Sequence, residues 1–275
     1  MTLDQTIVVT GASRGIGRTT ALHLARQGAR VVIVARDRKK LESLTAEAPD
    51  AQWMVIPADV TSRGEMHDMA TEVLSVWGTP HLIVANAGRL EPIGPLWESD
   101  PDDWWRDVEV NLRGSYLSVR DFVPMMVQAG RGRVILFGGG GSTRVFPWVS
   151  AYAMSKAALL RLAETLDIEL EGTGVRAFSV SPGFVRTDMT ERFADTEEGR
   201  RFIPDLAAIL DRDGSTPPEA CAELVSRIAS GDLDGLHGRF LHAGIDLDRL
   251  DELAARAEEI IDNEERILML RGFSL

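Results

Sequence analysis

A chain of 275 residues, 44% hydrophobic and 26% charged, is long enough for one large α/β domain with a substantial core, and this balance excludes a largely disordered protein. Forty-two acidic against 30 basic residues give a net charge of -12, which excludes a generally basic surface for nucleic acid or anionic membrane and leaves any anionic ligand to a local basic cluster. The single cysteine, Cys221, excludes an internal disulfide, and no signal-peptide pattern or apolar run approaching ~20 residues is visible, so a soluble cytoplasmic protein is expected.

TIVVT at residues 6–10 is the first of seven short apolar runs. The others are RVVIVA (30–35), WMVIPA (53–58), HLIVA (81–85), RVILF (133–137), RAFSV (176–180) and RFLHA (239–243). Helix-like patterns separate them, which is the β-α-β rhythm of strands buried on both faces. The fold class predicted is α/β, a Rossmann-type doubly wound parallel sheet of about seven strands with helices on both faces, built as one domain over residues 1–275. Its ligand belongs beyond the carboxyl ends of the strands.

After the first strand comes TGASRGIG (10–17), then a helix pattern. Gly11, Gly15 and Gly17 allow a tight turn, close backbone approach to a pyrophosphate and close packing of helix on strand, while Ser13, Arg14 and Ile16 complete the loop. The second strand ends in VARDRKK (34–40), with Arg36 where a carboxylate would accept ribose hydroxyls. A base there welcomes a 2′-phosphate and Arg14 can reach the same group, so NADP(H) is favoured over NAD(H), with Asp37 the one acid nearby. Arg38, Lys39 and Lys40 read as a solvated helix start and are not assigned to the ligand.

Further on, DPDDWWRD (100–107) offers Asp100 or Asp102 as a helix cap, and Trp104 and Trp105 as core or subunit contacts. Residues 184–216 are polar, irregular and poor in strand signal, and are expected to form a mobile lid or a plain surface excursion. In the tail, 246–275, Leu247, Leu250, Leu253, Ala254, Ala257, Ile260 and Ile261 fall at helical spacing and predict a helix docked on its own domain. The five histidines do not cluster with cysteine or acids, so no metal site is expected.

In order along the chain these motifs resemble the short-chain dehydrogenase/reductase family, strongly over about residues 5–190. Asp59 and Val60 resemble its adenine contact; Asn86, Ala87 and Gly88 the segment that supports the sheet and the adenosine ribose; Asn111 in VNLRG the asparagine that anchors a catalytic water. Tyr152 and Lys156, in YAMSK, resemble the active-site pair, and SPGFVRT (181–187), with Pro182, Gly183, Val185 and Thr187, the nicotinamide-side loop. The resemblance implies hydride transfer between NADP(H) and a small carbonyl or alcohol substrate, Lys156 bonding the nicotinamide ribose, and a homodimer or homotetramer. From the net charge, no nucleic-acid or membrane partner is expected.

The pair also makes sense without the family. Residues four apart share a helix face, so Tyr152 and Lys156 can point into one cleft, where an ammonium is expected to lower the tyrosine pKa from its usual ~10 and make it a general acid or base. Family members usually carry a serine thirteen residues before that tyrosine, and here the position is Gly139, preceded by Gly138. Three readings follow: Ser142 or Thr143 bends back to supply the hydroxyl, with Ser142 preferred; backbone N-H groups hold the oxygen; or the chain is a non-redox enzyme, an isomerase or lyase, or a nucleotide-binding regulator. Phe146, Trp148, Phe184 and Met189 are candidates to border the substrate cleft, with packing as the alternative.

Overall fold

The computed structural model describes residues 3–212, 214–263 and 265. Each of the seven apolar runs forms a strand: β1 (Thr6–Thr10), β2 (Arg30–Ala35), β3 (Trp53–Pro57), β4 (Leu82–Ala85), β5 (Gly132–Phe137), β6 (Val175–Ser181) and β7 (Phe240–His242). They pair in parallel in the order β3-β2-β1-β4-β5-β6-β7. The order reverses between β1 and β4, which opens a crevice at their carboxyl ends.

Helices α1 (Gly15–Arg26), α2 (Arg38–Thr45) and α3 (Arg63–Trp77) follow the first three strands. Between β4 and β5 lie α4 (Pro101–Val108), a π-helical turn (Glu109–Arg113), α5 (Gly114–Arg120) and α6 (Val123–Ala129), and α7 (Ser150–Glu169) precedes β6. The connection from β6 to β7 holds α8 (Asp188–Asp195), α9 (Glu197–Phe202), α10 (Pro204–Asp211) and α11 (Pro218–Ser230), and β7 is followed by α12 (Ala243–Asp246), α13 (Leu250–Ala255) and α14 (Ala257–Asp262).

Alternation along each strand divides the core into two layers. Ile7, Val9, Ile33 and Val84 face α1, α2 and α11, whereas Val8, Val32, Ile83 and Val134 face α3, α5 and α7. Both strand faces are therefore dry, which is why these runs read as continuously apolar rather than alternating. The expected tail helix is broken at Arg256 into α13 and α14, yet Leu250, Leu253, Ala257 and Ile260 dock into the α11 layer of their own domain. Tail positions 264 and 266–275 lie outside the described residues.

The irregular stretch 184–216 is helical over most of its length. Caps on Thr187 and Thr196 start α8 and α9, and Pro204 starts α10. These helices form a third apolar cluster, with Phe193, Ile203, Ala207 and Leu210 at its centre and Leu90, Phe146, Tyr152, Phe184 and Met189 around it.

Candidate active site

At the N-terminus of α1 no side chain caps the helix, and its first turn holds no acid. The unpaired N-H groups there are the ordinary anion site of a helix start. A Cβ on Gly17 would stand 2.5 Å from the Gly11 carbonyl oxygen and one on Gly11 2.8 Å from Ala87 Cα, so loop and sheet approach as only glycine permits. Asn86 braces the turn, its Nδ2 donating to Thr10 O (2.9 Å) and Gly11 O (3.3 Å). The cradle has the shape and the donors a pyrophosphate requires.

A cleft of about 450 Å³ runs from this cradle across the strand ends. The end beyond β2 and β3 is lined by Arg14, Arg36, Lys40, Asp59 and Val60. Asp37 serves as the N-cap of α2 and accepts the Lys40 N-H (3.2 Å), so this acid is committed to the helix start. Burial works against ionisation of Asp59, but hydrogen bonds from Thr61 N (2.9 Å) and Oγ1 (2.8 Å), with Arg36 3.9 Å away, hold its carboxyl below the usual range. Arg14 reaches across the cleft to Asp188 at the start of α8 (3.0 Å).

Tyr152 and Lys156 line the same cleft from α7. The electrostatics differ from the expectation of a lowered tyrosine pKa. Burial pushes the Tyr152 phenol up to about 12, and the Asp107 carboxylate adds to the rise. Lys156 does not offset it because its ammonium donates to the Phe137 carbonyl (2.9 Å) and lies 5.6 Å from the centre of the tyrosine ring. Burial also lowers Lys156, to about 8. In this state the pair is a neutral phenol beside an easily deprotonated ammonium.

Asn111, fully buried in the π-helical turn, lies off the cleft wall. Its Oδ1 accepts the Arg89 N-H (2.7 Å), and its Nδ2 donates to Arg89 O (2.9 Å) and to Ser155 Oγ (3.0 Å) on α7. Ser142 also lies off the wall, 2% exposed, and its Oγ accepts the Gly139 N-H (2.9 Å). Gly138 reaches the cleft, while the space beside Gly139 is taken by the Tyr152 hydroxyl.

Of the expected cofactor residues, those of the glycine loop, Arg36, Asp59, Val60, Asn86, Ala87, Gly88, Tyr152, Lys156, Pro182 and Thr187 line the cleft. Gly183 and Val185 do not: Gly183 turns against Thr216, and Val185 is buried.

The family model described as short chain dehydrogenase matches residues 5–198. The chain belongs to the short-chain dehydrogenase family. Short chain dehydrogenase mpl6 of Monascus purpureus is 33% identical over 267 residues, covering 94% of this chain and 86% of the relative. Among solved structures the KRED1-Pglu enzyme aligns with a TM-score of 0.78 at 32% identity, covering 86% of this chain and 99% of that one. A Beutenbergia cavernae protein solved with NADP bound at low occupancy aligns equally well at 28% identity, covering 88% and 96%. Members of this family are oxidoreductases that use nicotinamide cofactors and act on alcohol or carbonyl groups of small molecules, and the cradle above suits such a group. Among the described residues no helix is long and apolar enough to cross a membrane.

The motifs of a short-chain dehydrogenase did not point to every residue on the wall. Lys40, Arg89, Glu91, Arg106 and Asp188 line it as well. Lys40 follows Arg36 by four positions, and Arg89 follows the NAG segment directly, so both lay within reach of periodicity and adjacency. Glu91 and Asp188 carry no such signal, since they meet Arg192 (2.7 Å) and Arg14 only through the fold.

Proposed function

We propose that this chain is an NADP(H)-dependent oxidoreductase interconverting a carbonyl and a secondary alcohol on a small organic molecule. The observation that carries the reading is one cleft whose wall holds both the glycine cradle and the Tyr152–Lys156 pair. A bound nicotinamide dinucleotide supplies the hydride donor or acceptor. Tyr152 gives its proton to the carbonyl oxygen in reduction and takes it back in oxidation, and the neutral phenol that burial favours is the form reduction needs. Lys156 donates to the ribose hydroxyls and holds positive charge near the phenol. The relay-water part of Asn111 passes through its backbone, because its side-chain amide is already bonded to Arg89 and Ser155.

The preference for NADP(H) rests on Arg14, Arg36 and Lys40 around the adenosine end, with Asp37 occupied as a cap. A 2′-phosphate brings two negative charges to three cationic side chains, and the Beutenbergia cavernae protein of similar fold was solved with NADP bound at low occupancy. Ser142 is kept as the oxygen-steadying hydroxyl, a role that requires it to leave the Gly139 N-H and turn out of the buried position it holds beside the cleft wall. Assembly is through α4, α5 and α7, whose Trp105, Tyr116 and Ile168 are exposed.

The test is NADPH consumption by the purified protein over a panel of aldehydes, ketones, diketones and quinones, after NADPH binding has been measured. Oxidation that depends on a particular carbonyl supports the reading. Tight NADPH binding with no consumption anywhere in the panel moves the weight to a non-redox enzyme or a nucleotide-binding regulator.

A further inference from the structure

The cleft wall from Gly88 to Glu91 is fastened to α4 and its π-helical extension at more points than a surface loop requires. Asn111 grips both backbone groups of Arg89. One turn earlier, Asp107 accepts from Arg89 Nη1 (2.5 Å) with one oxygen and from the Glu91 N-H (3.2 Å) with the other. The rest of the guanidinium is held by Asp103, through its carbonyl (3.0 Å) and its carboxylate (2.8 Å). Asp107 is 1% exposed and the Arg89 side chain 20%, so this is a desolvated pair rather than a solvated surface contact.

What the fastened segment touches gives the pair its meaning. A Cβ on Gly88 would lie 3.3 Å from Asn111 Oδ1, 3.7 Å from Lys156 Nζ and 3.7 Å from Met189 Cε. Leu90 is buried in the cluster of α8 to α10, and Glu91 is bridged to Arg192 of α8 (2.7 Å). Three successive side chains thus go to three places: Arg89 back to α4, Leu90 under α8 to α10, Glu91 out to the last turn of α8. A shift of this segment moves the surface beside Lys156 and the footing of α8 together.

We propose that Arg89 and Asp107 are a positioning pair that fixes segment 88–91, and through it sets the nicotinamide half of the cleft without touching the adenosine half. The nucleotide readout below rests on the function proposed above; the exchange readout does not. A buried ion pair can be exchanged for apolar side chains with little loss of stability, whereas removing one partner strands the other. The decisive variant is therefore Arg89→Met with Asp107→Leu, compared with wild type for melting temperature, amide hydrogen exchange, and affinity for NADPH and for 2′,5′-ADP, which carries only the adenosine end.

The expected result is a melting temperature close to wild type, exchange at the Glu91 amide faster by about tenfold, NADPH binding weaker by about tenfold, and 2′,5′-ADP binding within about twofold of wild type. Equal weakening of both nucleotides, or none, overturns the proposal, because a merely structural role would not separate the two halves. If wild type binds neither NADPH nor NADH, the function reading fails, and exchange alone decides the clamp: an unchanged Glu91 amide overturns it. Should the apolar pair not fold, Asp107→Asn is read by the two nucleotide affinities alone, with a fall in melting temperature expected because Arg89 keeps its charge without its partner.

Discussion

A Cβ on Gly139 would stand 2.6 Å from the hydroxyl oxygen of Tyr152, and Gly139 itself holds φ at 152°. The tyrosine has little room to give way, because it borders the cluster built on Phe193 and Ile203. A serine at this position, where the family resemblance implies one, is therefore expected to harm this protein. Gly139→Ser should lower turnover at least tenfold while leaving NADPH affinity within about twofold, since strain of about 1–3 kcal/mol falls on the proton donor and not on the cradle. Steady-state kinetics beside a nucleotide titration check this, and a rise in turnover would contradict it.

Tyr152→Phe keeps the ring and removes the proton. Turnover should fall by about 10²- to 10⁴-fold with NADPH binding preserved. Ser142→Ala should cost on the order of 10²-fold if its hydroxyl steadies the oxygen, whereas Thr143→Ala should be near neutral. If the two variants prove equal, Ser142 does not have that part.

Lys156 supplies a pH signature. Its pKa is lowered to about 8 by burial, so it is charged below that value and neutral above it. In the proposed role, donation from the ammonium to a ribose is complete near about pH 7 and weakens as the pH climbs through about 9. NADPH affinity should decline over that interval in wild type and stay flat in Lys156→Met, as fluorescence titration at each pH would report.

At the proposed adenosine end, Arg36→Ala should weaken NADPH by about tenfold and leave NADH almost unchanged, narrowing or reversing the proposed preference. Lys40→Ala should act in the same direction with smaller size, because an ammonium lacks the bidentate fork. Titrating each variant with both nucleotides measures the ratio directly.

Phe193 is 2% exposed, stacks on Phe184 at 6.2 Å and meets Phe146 edge-on at 6.4 Å. Phe193→Ala removes about 3–5 kcal/mol of packing from a cluster distinct from the two sheet layers. Exchange protection should drop across residues 188–211 while the amides of β1 and β4 keep theirs.

The strands, their parallel order and the glycine cradle were legible because burial on both faces and close backbone approach leave residue-type signatures in consecutive positions. Tyr152 and Lys156 were legible because four positions make one helical turn. Sequence missed whatever depends on where a side chain turns: Lys156 facing Phe137 O, Arg89 drawn back to Asp107, and the end point of Ser142, which bends back as expected but onto the Gly139 N-H, off the cleft wall. The tail misled for a related reason, since apolar spacing runs on through the break at Arg256. Helical order within 184–216 was hidden by short helices whose caps, Thr187 and Thr196, resemble loop residues.

The cluster of α8 to α10 hangs between β6 and α11, outside the register of the sheet. Sheet and cradle are built by one set of residues, and the roof over Tyr152 by another that adds no strand pairing. Selection, or a protein engineer, can therefore exchange residues 193–211 as a cassette and reshape the roof over Tyr152, provided Thr187 and Asp188, which meet the glycine loop, and Arg192, which meets Glu91, are kept.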